Sequence, residues 1–135
     1  MENKKLFTLP IKSISNYVKE SFIQLTNFEI KKHNIIKFGN KNFMLKVARI
    51  SQDGEPLTIA KFKKLKKYNY HLNQLYINEF DNLLLCLIFI DDCIYLQIPK
   101  KEIEQLSLTI QHNKADCFQS IIDLKKYINN EIKFS

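Results

Sequence analysis

Glycine is almost missing from this 135-residue chain, with Gly39 and Gly54 the only two. Two isolated glycines cannot build a glycine-rich phosphate loop, a dinucleotide-binding fingerprint or a nucleophile elbow, and the site classes that need those turns are excluded. Cysteine is sparse too. Cys86, Cys93 and Cys117 are odd in number and lack CxxC spacing, while His33, His71 and His112 are scattered, so no zinc site is spelled out. Cys86 sits inside an apolar run as a small core residue, and the set fits a reducing, cytoplasmic compartment. Long hydrophobic runs are also lacking. The longest, Leu83 to Ile90, is far too short to span a bilayer, and the stretch after Lys4 and Lys5 is broken by Thr8, Pro10 and Lys12, so no export signal is visible. The expectation is a soluble protein with no membrane partner.

Acidic residues are outnumbered, 14 against 21 basic ones, for a formal net charge of +7. Nearly all of the positive charge is lysine, because Arg49 is the only arginine. A basic excess of this size points to a polyanion, with nucleic acid the first candidate. The alternative is a lysine- and asparagine-rich composition that does no more than keep the surface soluble. Apolar residues make up 45% of the chain and charged residues 26%, a globular composition long enough for one domain over residues 1–135 with its own core.

The periodicities predict an order of elements. Ser13 to Leu25 puts Ile14, Tyr17, Val18, Phe22 and Leu25 on one face of an opening helix, with Ser13 as N-cap. Phe28 to Phe38 and Phe43 to Ile50 alternate on either side of Gly39–Asn42 and read as a hairpin. A turn at Gln52–Pro56 leads to a third strand, Leu57–Phe62. Leu65, Tyr68, Leu72, Leu75 and Tyr76 recur at spacings of three and four and predict a helix from Lys63 to Glu79. Asp81 to Ile90 reads as a strand buried on both faces, Asp91-Asp92 as a turn, and Cys93 to Ile98 as the next strand. A short helix over Lys100–Leu106, a short strand at Leu108–Gln111 and a closing helix over Cys117–Ile132 complete a single α/β domain, with a central mixed sheet flanked by helices.

That order, with Phe80-Asp-Asn-Leu-Leu-Leu-Cys-Leu-Ile-Phe-Ile-Asp-Asp-Cys-Ile-Tyr-Leu-Gln-Ile-Pro-Lys-Lys-Glu-Ile103 and Phe43-Met-Leu-Lys-Val-Ala-Arg49, resembles the core of the PD-(D/E)XK nuclease superfamily over roughly residues 13 to 106. The resemblance implies a restriction-endonuclease-like fold. In that family, magnesium held by carboxylates from adjacent strands activates water against a phosphodiester, and a lysine two residues beyond the second acid assists. Carried across, Lys46 falls on the motif lysine and Glu20 on an acid supplied by the opening helix. The two central carboxylates are missing. Met44 stands at the acidic position before Lys46 and Asn34 or a neighbour at the aspartate position, with Asp53 and Glu29 the nearest acids. The resemblance therefore implies a site without a metal, and magnesium only if catalysis survives.

Lys61-Phe-Lys-Lys-Leu-Lys-Lys-Tyr-Asn-Tyr70 is the strongest basic feature. Lys61, Lys63, Lys64, Lys66 and Lys67 suit phosphates, and Tyr68 and Tyr70, together with Arg49, suit a nucleic-acid surface. The competing reading puts Phe62 and Tyr68 in the core. The expectation is a nucleic-acid-binding, nuclease-like protein of a restriction–modification or other defence system, inactive alone, whose partner is DNA or a DNA-handling protein and which can homodimerise. Two alternatives stay open: a small phage or mobile-element protein that blocks a nucleic-acid-handling enzyme, and an active metal-dependent DNA endonuclease with migrated carboxylates.

Overall fold

Asn82-Leu-Leu-Leu-Cys-Leu-Ile88 has no polar residue after its first, and a strand of that kind is stable only when both faces are covered. In the computed structural model, which describes residues 7–25, 29–30, 34–105, 111–114 and 117–132, every residue of this strand is buried. The elements run in chain order as follows. Helix α1 spans Ile11–Leu25, β1 Glu29–Ile30, β2 Ile35–Phe38 and β3 Lys41–Arg49. A small hairpin follows, β4 Ser51–Gln52 and β5 Glu55–Pro56, and then α2 Ile59–Lys64, β6 Asn69–Leu75, β7 Asn82–Ile88 and β8 Cys93–Pro99. Helix α3 covers Lys100–Glu104, β9 Gln111–Lys114 and β10 Cys117–Asp123, with 3-10 turns at Ile77–Glu79 and Leu124–Asn130.

The result is a single α/β domain on a central mixed sheet of order β1-β2-β3-β7-β8. Among the described strand pairs, only β3 and β7 run parallel, in a register that sets Lys46 opposite Leu85. The stretch around the single arginine thus lies directly beside the buried central strand. One face carries α1 through Ile14 and Val18, against Leu45, Val47, Leu84 and Cys86. The other face, through Met44, Ala48, Leu83, Leu85 and Leu87, packs on Phe62, Leu72, Leu75, Ile103, Ile122 and Leu124. No helix among the described residues is long and apolar enough to cross a membrane.

Four parts differ from the sequence reading. Phe28–Phe38 is not one strand: Glu29 pairs with Lys37 and Ile30 with Ile36, so β1 and β2 run antiparallel to each other. Leu57–Phe62 is not a strand, because Thr58 caps α2: its hydroxyl accepts the Lys61 N–H at 3.2 Å, and the Asp91 carboxylate accepts the Ile59 N–H at 3.1 Å. Lys63–Glu79 is not a helix. Leu75 pairs with Phe118 and Leu72 with Ser120, so β6 carries one more residue than β10 between these pairs. Gln74 supplies the left-handed backbone of this bulge, at φ 55°. The extra residue returns Leu72 and Leu75 to the same face, a spacing of three that imitates a helix. Cys117–Ile132 opens as strand β10, with Ser120, Ile122 and Leu124 buried and Ile121 exposed, the alternation of a strand. A second sheet of order β6-β10-β9 therefore covers the face where the sequence predicted helices.

Several details of the reading fall where nothing is described. The span 31–33 inside the first expected strand and most of Leu108–Gln111 lie outside the described residues. The side chains of Phe22, Leu25, Glu29, Cys117 and Phe118 lie outside them as well.

Candidate nucleic-acid interface

The pairing of β2 with β3 stops at Ile35 opposite Met44, followed by a last bond from the Leu45 N–H to the Asn34 carbonyl at 2.9 Å. Beyond it, among the described residues, β3 is paired only with β7. Among the described residues, β6 is likewise an edge, bonded to β10 alone. Between these two edges, with α1 as the third wall, lies a cleft of about 370 Å³. Lys46 and its neighbours Leu45 and Val47 come from β3, Lys12, Ser15, Asn16 and Lys19 from α1, and Tyr70 to Gln74 from β6.

Among the described residues, the lining holds three lysines, His71 and the amides of Asn16, Asn34, Asn73 and Gln74, and no carboxylate. Lys19 is oriented within it, because its Nζ donates to Asn34 Oδ1 at 2.8 Å and has further protons to give. Lys46 and Lys19 are half-buried and Lys12 is exposed at the rim. Burial pushes the Tyr70 hydroxyl above its ordinary pKa; Tyr68 adds to the shift and the Arg49 guanidinium opposes it. Asn34 and Gln74 are two of the three described non-glycine residues with positive φ, at 60° and 55°, and both line the cleft. Strained backbone and bulges gather at functional sites, where they re-aim side chains.

The sequence-predicted residues are thus divided. Lys46 and Tyr70 meet in the cleft together with Asn34. Glu20 is exposed on α1 and is not part of the lining. Asp53 is exposed in the β4–β5 turn. Met44 is 1% exposed in the core, on the same face of β3 as Lys46. A buried thioether, an amide and three ammonium groups do not fit a magnesium ion, which takes hard oxygen ligands. Among the described residues, no three His, Cys, Asp or Glu side chains gather as a metal site. The acids of Asp91-Asp92 cap backbone N–H groups at Ile59 and Cys93.

Lys61, Lys63 and Lys64 project from α2, and Lys66 and Lys67 from the link to β6; all five are exposed. Tyr68 belongs to the fold. Its hydroxyl donates to the Ser51 carbonyl at 2.7 Å and accepts the Ser51 N–H at 3.2 Å, while its ring meets Phe62 edge-on at 5.6 Å. Phe62 is fully buried, with the Lys125 ammonium 4.7 Å above its ring. Arg49 donates to the carbonyls of Leu9 at 3.0 Å and Phe7 at 3.4 Å, tying the N-terminal segment to β3.

No protein-family model, curated protein or solved structure matches the chain.

The sequence reading passed over Lys12, Lys19, His71, Asn73 and Gln74. A signal existed for the first two: Lys12, Ser15, Asn16 and Lys19 form an i, i+3, i+4, i+7 stripe beside the apolar one, and such a polar stripe passes for an ordinary solvated face. His71, Asn73 and Gln74 were hidden by the bulge, which disguised their strand.

Proposed function

We propose that this protein binds nucleic acid and does not cut it unaided. The observation that carries the reading is the cleft at the edges of β3 and β6, which Lys12, Lys19 and Lys46 line together, with no carboxylate among the described lining residues. Three lysines lining one hollow present a concentrated positive potential to an anion, and a phosphate backbone is a polyanion that a protein of net charge +7 attracts. The exposed lysines between Lys61 and Lys67 extend the attractive surface beyond the cleft. Under the PD-(D/E)XK resemblance, Lys46 would stand at the motif lysine, beside Leu85 of the central strand, with Met44 where an acid would hold magnesium. Free thiols at Cys86 and Cys93 favour a reducing, cytoplasmic setting.

Fluorescence anisotropy with labelled oligonucleotides tests the reading. Binding at low ionic strength that weakens steeply with salt supports it, and replacing Lys63, Lys64, Lys66 and Lys67 together with alanine weakens it further without lowering thermal stability. Absence of binding at low salt refutes it, and co-elution with a protein partner under those conditions favours a protein-blocking role instead. Plasmid cleavage in magnesium or manganese that is lost in Lys46→Ala refutes the non-catalytic part.

A further inference from the structure

The two basic surfaces differ in shape, and the difference bears on the form of nucleic acid. The lysines from Lys61 to Lys67 are exposed, and a duplex can lay its phosphates against them. Lys19 and Lys46 are half-buried, recessed between α1 and β6. In a duplex the bases are stacked and paired inside, so its phosphates reach only the rim. A single strand can swing one nucleotide inwards.

We propose, on the basis of the nucleic-acid reading above, that the cleft receives one unpaired nucleotide of single-stranded DNA or RNA. Its phosphate lies against Lys12, Lys19 and Lys46, and its base lies against Tyr70 and the amides of the β6 bulge. The volume agrees: about 370 Å³ falls at the small end of the range for small-molecule sites, room for one nucleotide and not for several. The chemistry agrees as well. The lysines supply charge without direction, the half-buried tyrosine ring supplies an apolar wall for a base, and the Asn73 and Gln74 amides carry the paired donor and acceptor that base edges recognise. Because Gln74 sits at φ 55°, the bulge turns these amides out of the regular strand alternation and into the cleft.

The test compares three probes of equal length by anisotropy at one salt concentration: an unstructured single-stranded DNA, the matching RNA and the DNA duplex. The single strands bind about tenfold more tightly than the duplex, the factor that one stacked base supplies. Lys46→Met removes that advantage by weakening the single strands more than the duplex, while the fourfold alanine variant at Lys63, Lys64, Lys66 and Lys67 weakens all three probes. Asn73→Ala, at an exposed position of β6 that lines the cleft, repeats the selective loss if Lys46→Met does not fold. DNA and RNA differing more than tenfold would narrow the ligand to the tighter one and still support the site. Equal affinity for single strand and duplex, with both variants weakening them equally, overturns the cleft assignment and leaves nucleic-acid binding standing. No binding of any probe defeats the underlying reading instead.

Discussion

Removing one oxygen atom separates the two roles open to Tyr68. Its hydroxyl bonds both backbone groups of Ser51, at 2.7 Å and 3.2 Å, and so ties the β4–β5 hairpin to the start of β6. Tyr68→Phe keeps the ring and its edge contact with Phe62 but leaves a part-buried N–H and C=O without these partners. A net hydrogen bond is worth about 0.5–1.5 kcal/mol, and the longer of the two bonds falls at the low end, so the loss is about 1.5–2 kcal/mol. For a domain of this size, that lowers Tm by about 5–8 °C. Thermal unfolding followed by circular dichroism measures it, and Tyr68→Leu, assayed below its own Tm, shows whether the ring contributes to oligonucleotide affinity. The structure predicts a stability loss in the first variant and an unchanged affinity in the second. An unchanged Tm in Tyr68→Phe, or a tenfold affinity loss in Tyr68→Leu, would refute the assignment of this residue to the fold.

Three further outcomes follow from particular side chains. Leu85→Ala, in the fully buried centre of β7, costs about 2–5 kcal/mol, read as a lower urea midpoint at unchanged slope. Gln74→Gly relieves the left-handed backbone and raises stability by roughly 0.5–1 kcal/mol; a lower Tm would contradict the bulge. Cys93 lies on β8 near Cys86 and Tyr95, whose hydrogen bonds hold its thiolate so that its pKa is lowered to about 7, against some opposition from burial, while the Cys86 thiol is pushed well up. Alkylation of Cys93 by iodoacetamide should rise with pH through a midpoint near 7 as the thiol ionises, with Cys86 protected until the protein unfolds, and peptide mass mapping distinguishes the sites.

The parts legible in the sequence are those whose pattern had one physical solution. Asn82–Ile88 could only be a covered strand, Cys93–Pro99 alternates plainly, and the spacing of Ile14 and Val18 suits nothing but a helix face. Lys46 was singled out through the nuclease resemblance, which put it on the motif lysine, and it lines the cleft. The rest was obscured where local pattern and tertiary pairing disagreed. A bulge gave β6 a helical spacing, Thr58 and Asp91 drew β-prone residues into α2, and the run from Phe118 to Ile132 mixed a strand with a 3-10 turn. The cleft itself joins α1, β3 and β6, elements brought together only by folding, and no single stretch of the chain announces it.

The salt dependence of single-strand affinity in Lys46→Met, compared with the unaltered protein, tests the central claim most directly. Each phosphate contact on a single strand contributes about 0.7 to the slope of log affinity against log salt. A slope shallower by about that amount, with the fold intact, is the predicted result. An identical slope and affinity would mean that the amine of Lys46 meets no phosphate, and the cleft would not be where this protein holds nucleic acid.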